Sequence, residues 1–304
     1  MPRLPIPALL LAAALLAACG DAPSEATPPA AGAAAEAGAD ASADANGIPP
    51  LPDGIADATA PTEAGDLGAL PFAAALANGS PYSEARDAVL GAGWRPIVTP
   101  ACAENVGGEA RVCRELPELE ACSGTGEGLC RMAFADPTGA QTLTLRTKGG
   151  HADWSVRGEA ASMRVDGAEL ATVAAAPGAA CPSGDFDAFL AAFAADPAVR
   201  AAWTAPLVRT ALRYDLGEDS IVVEGAVRAG DFTGFPVTHR GSAFHFVDAA
   251  GQVDPAPLAL DIAEDGADSR RVSFAYGMSE GNSVRFVRTG DCWQLAEDPE
   301  PPAS

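Results

Sequence analysis

The chain has 304 residues, with 41 acidic side chains against 19 basic ones and a formal net charge of −22. Lys148 is its single lysine. Nucleic acid is therefore excluded as a partner, because phosphate neutralisation needs clustered Lys and Arg, and adhesion to anionic lipid by charge is disfavoured for the same reason.

At the N-terminus Arg3 precedes an apolar run, Leu9 to Ala18, that is too short for a membrane span of about 20 residues but fits the apolar region of a secretory signal. The run closes Leu16-Ala17-Ala18-Cys19, which resembles the lipobox of bacterial lipoproteins. The resemblance implies a signal peptide over 1–18 and acyl chains on Cys19, with the membrane reached through that lipid and the remainder facing the periplasm. Gly20, where Asp would signal retention, favours the outer membrane over the inner. From 19 to 70 the chain is almost entirely Ala, Pro, Gly, Ser, Thr and acids, a composition that buries too little apolar surface to offset its ordering entropy. It reads as a disordered tether.

Six cysteines remain: Cys102, Cys113, Cys122, Cys130, Cys181 and Cys292. An even number in an exported chain reads as disulfides. Four fall in one short stretch, where three pairings are open and the local ones, 122 with 130 and 102 with 113, are favoured. The other two bracket the C-terminal region, and closing that loop contributes ~4–5 kcal/mol in the chain-entropy model. The partition predicts two domains, 71–158 and 181–298, with a connection over 159–180 and a tail over 299–304. With no C-x-x-C spacing and His151 far along the chain, zinc is not expected.

In the first domain, Ser80-Pro81 with Glu84 predicts a helix N-terminus, with Ser80 as its cap and Tyr82, Ala85, Val89 and Leu90 as its buried stripe. Gly91 and Gly93 stop it before an extended segment, Trp94 to Val98. Arg131 to Ala135 and Thr142 to Thr147 read as strands joined by the turn Asp136-Pro137-Thr138-Gly139, and Ala152 to Arg157, with Trp154, as another. The order from Gly79-Ser80-Pro81-Tyr82 through Gly93-Trp94 to Cys122-Ser123-Gly124-Thr125-Gly126 and Cys130 resembles small uncharacterised modules of secreted bacterial proteins. That implies an α+β fold and no chemistry. The glycines before Cys130 open no helix and no Lys follows, so no phosphate loop is met. Within the connection only Ser162 to Val165 suggests a short strand.

In the second domain, Phe186, Phe189, Leu190 and Phe193 stand at i, i+3, i+4 and i+7, an amphipathic helix. Asp196-Pro197 starts a second one carrying Val199 and Trp203, broken at Pro206. Period two follows, with strands expected at Leu207–Tyr214, Ser220–Val227, Ser242–Val247, Arg270–Tyr276, Ser283–Val287 and Cys292–Leu295. Helices followed by an antiparallel sheet, with Phe186-to-Val199 and a closing Gly290-Asp291-Cys292-Trp293, resemble the NTF2-like fold, which implies a curved sheet wrapped around a helix. The predicted class is α+β throughout.

Gly277-Met278-Ser279-Glu280-Gly281 matches the G-x-S-x-G of hydrolases, but it lies between two predicted antiparallel strands and no histidine follows. His239 and His245 would share a face of one continuous strand, with Phe244 and Phe246 opposite, unless Gly241 interrupts it; beside Asp231 or Asp248 they are the catalytic candidates of the alternative, enzymatic reading, solvated or hydrogen-bonded sheet histidines being the plainer one. The acidic turn Asp261, Glu264, Asp265, Asp268 lacks calcium-loop spacing and reads as a charged hairpin end. The four tryptophans, Trp94, Trp154, Trp203 and Trp293, read as core anchors. No metal or cofactor is expected. The reading is a tethered envelope module that binds a protein, peptidoglycan or a small ligand without catalysis. An enzyme or ligand binder using the concave face of the C-terminal sheet is the alternative.

Overall fold

A computed structural model describes residues 65–108, 110–123, 128–150, 163–174, 178–215, 220–276 and 280–299. Cys19, the expected tether as far as residue 64, the 152–157 strand with Trp154, the loop glycines 124 and 126, Gly277-Met278-Ser279 and the last residues, 300–304, lie outside them, whereas 65–70, expected as tether, belong to the fold: Leu67–Ala69 is a short 3-10 helix, and Leu67 and Leu70 pack against a buried core. The fold is mixed α+β, mostly strand with few helices, and holds three disulfides.

Helix α1 (Tyr82–Gly91) buries Tyr82, Ala85 and Val89. Its cap is not Ser80. The N-cap is Pro81, with no side-chain capping bond, because this corner is sewn to a sheet edge through the backbone. Val165 N–H donates to the Ser80 carbonyl at 2.9 Å, and Tyr82 N–H to that of Met163 at 3.0 Å. Strand β1 (Arg95–Val98) follows, then α2 (Cys102–Asn105) and α3 (Ala110–Glu115), which Cys102–Cys113 clips together. Cys122–Cys130 joins the facing ends of β2 (Leu119–Cys122) and β3 (Cys130–Ala135). The β3–β4 turn is set by Asp136, whose carboxylate accepts from Thr138 N–H at 3.2 Å and Gln141 N–H at 2.7 Å, and by Gly139 at φ +75°. Strand β4 covers Gln141–Lys148.

Part of the expected connection is a full strand. Residues Arg164–Thr172 form β5, which pairs along its length with β4. Its alternation is diluted by Gly167, Ala168 and Ala171, residues that pack into a sheet here but carry no strand signal of their own.

Helix α4 (Phe186–Ala195) buries Phe186, Phe189, Leu190 and Phe193 and is capped by Asp185, whose carboxylate accepts from Ala188 N–H at 3.0 Å. Helix α5 (Pro197–Trp203) gives way directly to β6 (Thr204–Asp215). Pro206 therefore does not end a helix. It sits in β6 where pairing with the last strand skips from Thr204 to Arg209, a place that tolerates a missing donor. The remaining strands are β7 (Ser220–Arg228), β8 (Val237–Arg240), β9 (Ala243–Phe246), β10 (Leu260–Glu264), β11 (Ser269–Tyr276), β12 (Glu280–Thr289) and β13 (Cys292–Asp298). Cys181–Cys292 ties the entry of α4 to the start of β13, and Trp293 Nε1–H donates to the Gly184 carbonyl at 3.2 Å beside it.

The strands run in the order β10-β11-β12-β13-β6-β7-β1-β3-β4-β5, with β2 paired to β3 and with β8–β9 a separate hairpin. Register partners share a face. On one face Leu170, Leu143, Phe134 and Pro96 stand in one row, and Val98, Val227 and Val208 in another. That face carries both large cores. One includes Tyr82, Trp94, Leu116, Phe134 and Leu145; the other is built from the α4 phenylalanines, Phe235, Phe286 and Trp293. Arg200 pins α4 to the second core, donating to the carbonyls of Ala194 at 3.1 Å and Val237 at 2.5 Å while lying over the rings of Phe193 and Phe235. Burial lowers its pKa.

The first core encloses a charge. Glu118 is fully buried and accepts from Tyr82 Oη–H at 2.7 Å and from Arg86 Nε–H at 2.5 Å. Burial first, then the Glu118 charge, pushes the Tyr82 phenol well above its ordinary value of 10.0. A raised folded-state pKa contributes stability that is complete below the unfolded pKa and is lost as pH climbs past it. The wild type is therefore expected to lose stability in the window above pH 10, and Tyr82→Phe to lose less there while costing roughly 1–2 kcal/mol at pH 7. Urea melts at pH 7 and across the alkaline range check both signs. Paired substitution of Cys181 and Cys292 by Ser opens the loop of sequence separation 111 and is expected to cost roughly 2–5 kcal/mol, read as a lowered thermal midpoint.

Candidate functional site

The two histidines do not come together. Gly241, at φ +62°, turns the chain between β8 and β9, so the expected continuous strand is a hairpin. His239 stands opposite Phe244, its ring 4.8 Å from the phenyl ring, whereas His245 stands opposite Thr238 on the other face. Phe244 and Phe246 consequently share His239's side. His245 Nδ1 lies 2.9 Å from the Asp254 carbonyl and 3.1 Å from that of Ala256. Carbonyls only accept, so Nδ1 carries the proton and the ring props up the 254–256 loop. Asp248 is spent on its own turn, accepting from Ala250 and Gln252 N–H groups at 2.9 and 2.7 Å. Among the described residues, no three His, Cys, Asp or Glu side chains are grouped to hold a metal ion.

Of the G-x-S-x-G stretch, 277–279 lie outside the described residues, and Glu280 and Gly281 open β12, where they stand opposite Tyr276 and Ala275 of the antiparallel β11. The acidic turn is a charged hairpin end: Glu264 meets Arg270 at 2.9 Å, and Asp265 meets Arg285 at 2.7 Å and Arg271 at 3.3 Å. The Arg271 hydrogen bond, with the charges of Arg285 and Arg271, holds the Asp265 carboxyl below its ordinary value. Trp94 and Trp293 are buried, and Trp203 packs partly buried on the second core.

The feature absent from the sequence reading is the second face of the sheet. By register it gathers Arg271, Arg285, Arg209, Arg228, Arg95, Arg131 and Arg146 around a small apolar centre of Ile97, Ala133, Ala135, Leu207 and Ala226. The buried residues of all the described helices belong instead to the two cores of the opposite face. Carboxylates are interleaved with these arginines. Glu297 pairs with both Arg209 and Arg285, Glu224 with Arg95 at 2.7 Å, and Glu120, buried at the end of β2, with Arg228 and with Arg131 at 2.8 Å. Burial, then the neighbouring Arg95 and Arg285 charges, lowers the Arg209 pKa.

This face is concave. A cleft of about 500 Å³ is lined from one side by Thr142, Thr144, Arg146, Glu169 and Ala171 of β4 and β5, and from the other by Leu207 and Arg228 of β6 and β7. Five strand steps separate β5 from β6, roughly 24 Å on a flat sheet, so the sheet must curve between them for both to line one cleft. A smaller cleft of about 150 Å³ lies among Arg95, Arg209, Glu224 and Glu297. The larger one offers guanidinium, carboxylate, hydroxyl and methyl groups, a chemistry of recognition.

A scan against protein-family models finds no match, and a search of curated proteins finds no significant relative.

Glu120 is the hinge pin of the larger cleft, since one carboxylate holds arginines from β3 and β7. Glu120→Gln keeps the size and removes the charge, leaving two guanidinium groups facing each other. A loss of roughly 1–3 kcal/mol is expected, measured by denaturant unfolding, and added salt is expected to narrow it, because salt weakens the wild-type ion pairs and screens the repulsion in the Gln variant.

Proposed function

We propose that the chain is a lipid-anchored cell-envelope protein that binds a ligand without catalysis, held at a membrane by acyl chains on Cys19 and presenting the concave, arginine-bearing sheet face. The cleft carries this reading. It concentrates cations in a chain of net charge −22, and the groups lining it hold a molecule rather than transform one. Disulfides in both halves suit an oxidising compartment outside the cytosol. The Leu16-to-Cys19 stretch supplies the anchor, the acidic, proline-interrupted 20–64 stretch the tether, and Gly20 favours the outer membrane.

The NTF2-like reading of 181–298 belongs with this proposal. It is supported by α4 lying against β13 and the β8–β9 hairpin, with Phe186 edge-on to both Phe286 and Trp293. A fold of that type hosts binding modules as readily as enzymes, so it adds no activity.

Cys19→Ser is expected to move the protein from the membrane pellet to the soluble periplasmic fraction, while the wild type extracts only with detergent. A Cys19→Ser protein that stays with membranes would refute the anchor.

A further inference from the structure

We infer that the larger cleft takes a dipeptide with free ends, its carboxylate on Arg146 and its ammonium on Glu169. The inference deepens the proposed binding function and rests on it.

The charges of the cleft do not all stand alike. Arg131 and Arg228 are committed to Glu120. Arg146 and Glu169 make no ion pair among the described residues, although they line the same cleft. Arg146 stands opposite Gly167, and Glu169 opposite Thr144, so the two occupy diagonal positions on neighbouring strands. Such positions lie roughly 7–8 Å apart at the backbone, close to the roughly 7 Å that two extended residues span from end to end. A free cation and a free anion at that separation match a zwitterion. A plain dianion would be repelled by Glu169.

The backbone is arranged to place this guanidinium. The β4–β5 register shifts between Arg146 and Thr147, with Asp166 as the extra residue, and such a bulge re-aims a side chain. Gly167 stands inside β5, where glycine weakens a strand. A Cβ there would meet Arg146 Nη2 at 2.6 Å and Nε at 3.1 Å, so the missing side chain is the space in which the guanidinium lies across the strand. Thr142 and Thr144 add hydroxyls on the same face, and Ala171 adds a methyl for a small side chain.

The test is calorimetric titration of the detergent-solubilised full chain with alanyl-alanine, in L,L and D,D forms, beside its N-acetyl and C-amide derivatives. The free dipeptide is expected to bind, and either blocked form to bind ~10-fold more weakly. Arg146→Ala should erase the preference for the acid over the amide. Glu169→Gln should erase the preference for the free amine, and Gly167→Ala, which keeps every charge, should weaken binding by displacing the guanidinium. Unchanged thermal midpoints show that the variants fold. No heat with either stereoisomer, equal affinity for the blocked forms, or indifference to both Arg146→Ala and Glu169→Gln would overturn the inference. Such a failure, with Cys19→Ser still released from membranes, removes the ligand class and leaves the anchored protein standing.

Discussion

One four-residue strand holds the architecture together. β1 pairs antiparallel with β3 through Arg95 and Pro96, then parallel with β7 through Ile97 and Val98. Each pairing is only two residues long, yet together they make one sheet of what would otherwise be two. The parallel contact links segments more than a hundred residues apart, so closing it costs more chain entropy than a local pairing does. It is reinforced by side chains rather than by length. Ile97 is fully buried beside Ala226, Arg95 reaches Glu224 on β7 and the Pro137 carbonyl in the β3–β4 turn, and Glu120 bridges β3 to β7. The cleft exists because this strand joins the two sets of strands that line it.

What could be read in advance follows from which interactions are local. Helix α4 was legible because the spacing of Phe186, Phe189, Leu190 and Phe193 is the buried stripe itself. The Asp136 turn was legible because its hydrogen bonds run within six residues. An even cysteine count in an exported chain announced disulfides. Strand β5 was obscured by its glycine and alanines, and β2 by the acids at 118 and 120, which look solvated in sequence. Burying Glu118 depends on Tyr82 and Arg86, and burying Glu120 on Arg131 and Arg228, partners 11 to 108 residues away. No local pattern carries that. The histidine pair failed for the opposite reason: spacing alone suggested one strand, and Gly241 turned it into two.

The arginine-bearing face was hidden by the same logic. Apart from Arg271, which follows Arg270, its arginines stand singly in sequence and register as isolated surface charges, so an acidic composition conceals a locally cationic surface. Only register assembles them, from Arg271 through Arg285 and Arg209 across the sheet, and in another row Arg131 with Arg146. Side-chain type matters here. A guanidinium is planar, weakly hydrated and able to hold two carboxylates at once, as Arg285 holds Asp265 and Glu297; a lysine ammonium would sit as a hydrated point charge.

An open sheet face must meet water or a partner, and an apolar one would aggregate. Alternating arginines and carboxylates solve that problem, since most of these charges satisfy a neighbour and no broad apolar surface remains. A face serving solubility alone, however, needs no bulge to aim Arg146 and no glycine to seat it. Neither feature improves pairing within β4 and β5, and both cost strand stability locally. Cost without structural return is the mark of a position kept for something the sheet itself does not contain, and here it falls on the one arginine of the cleft that no described carboxylate holds.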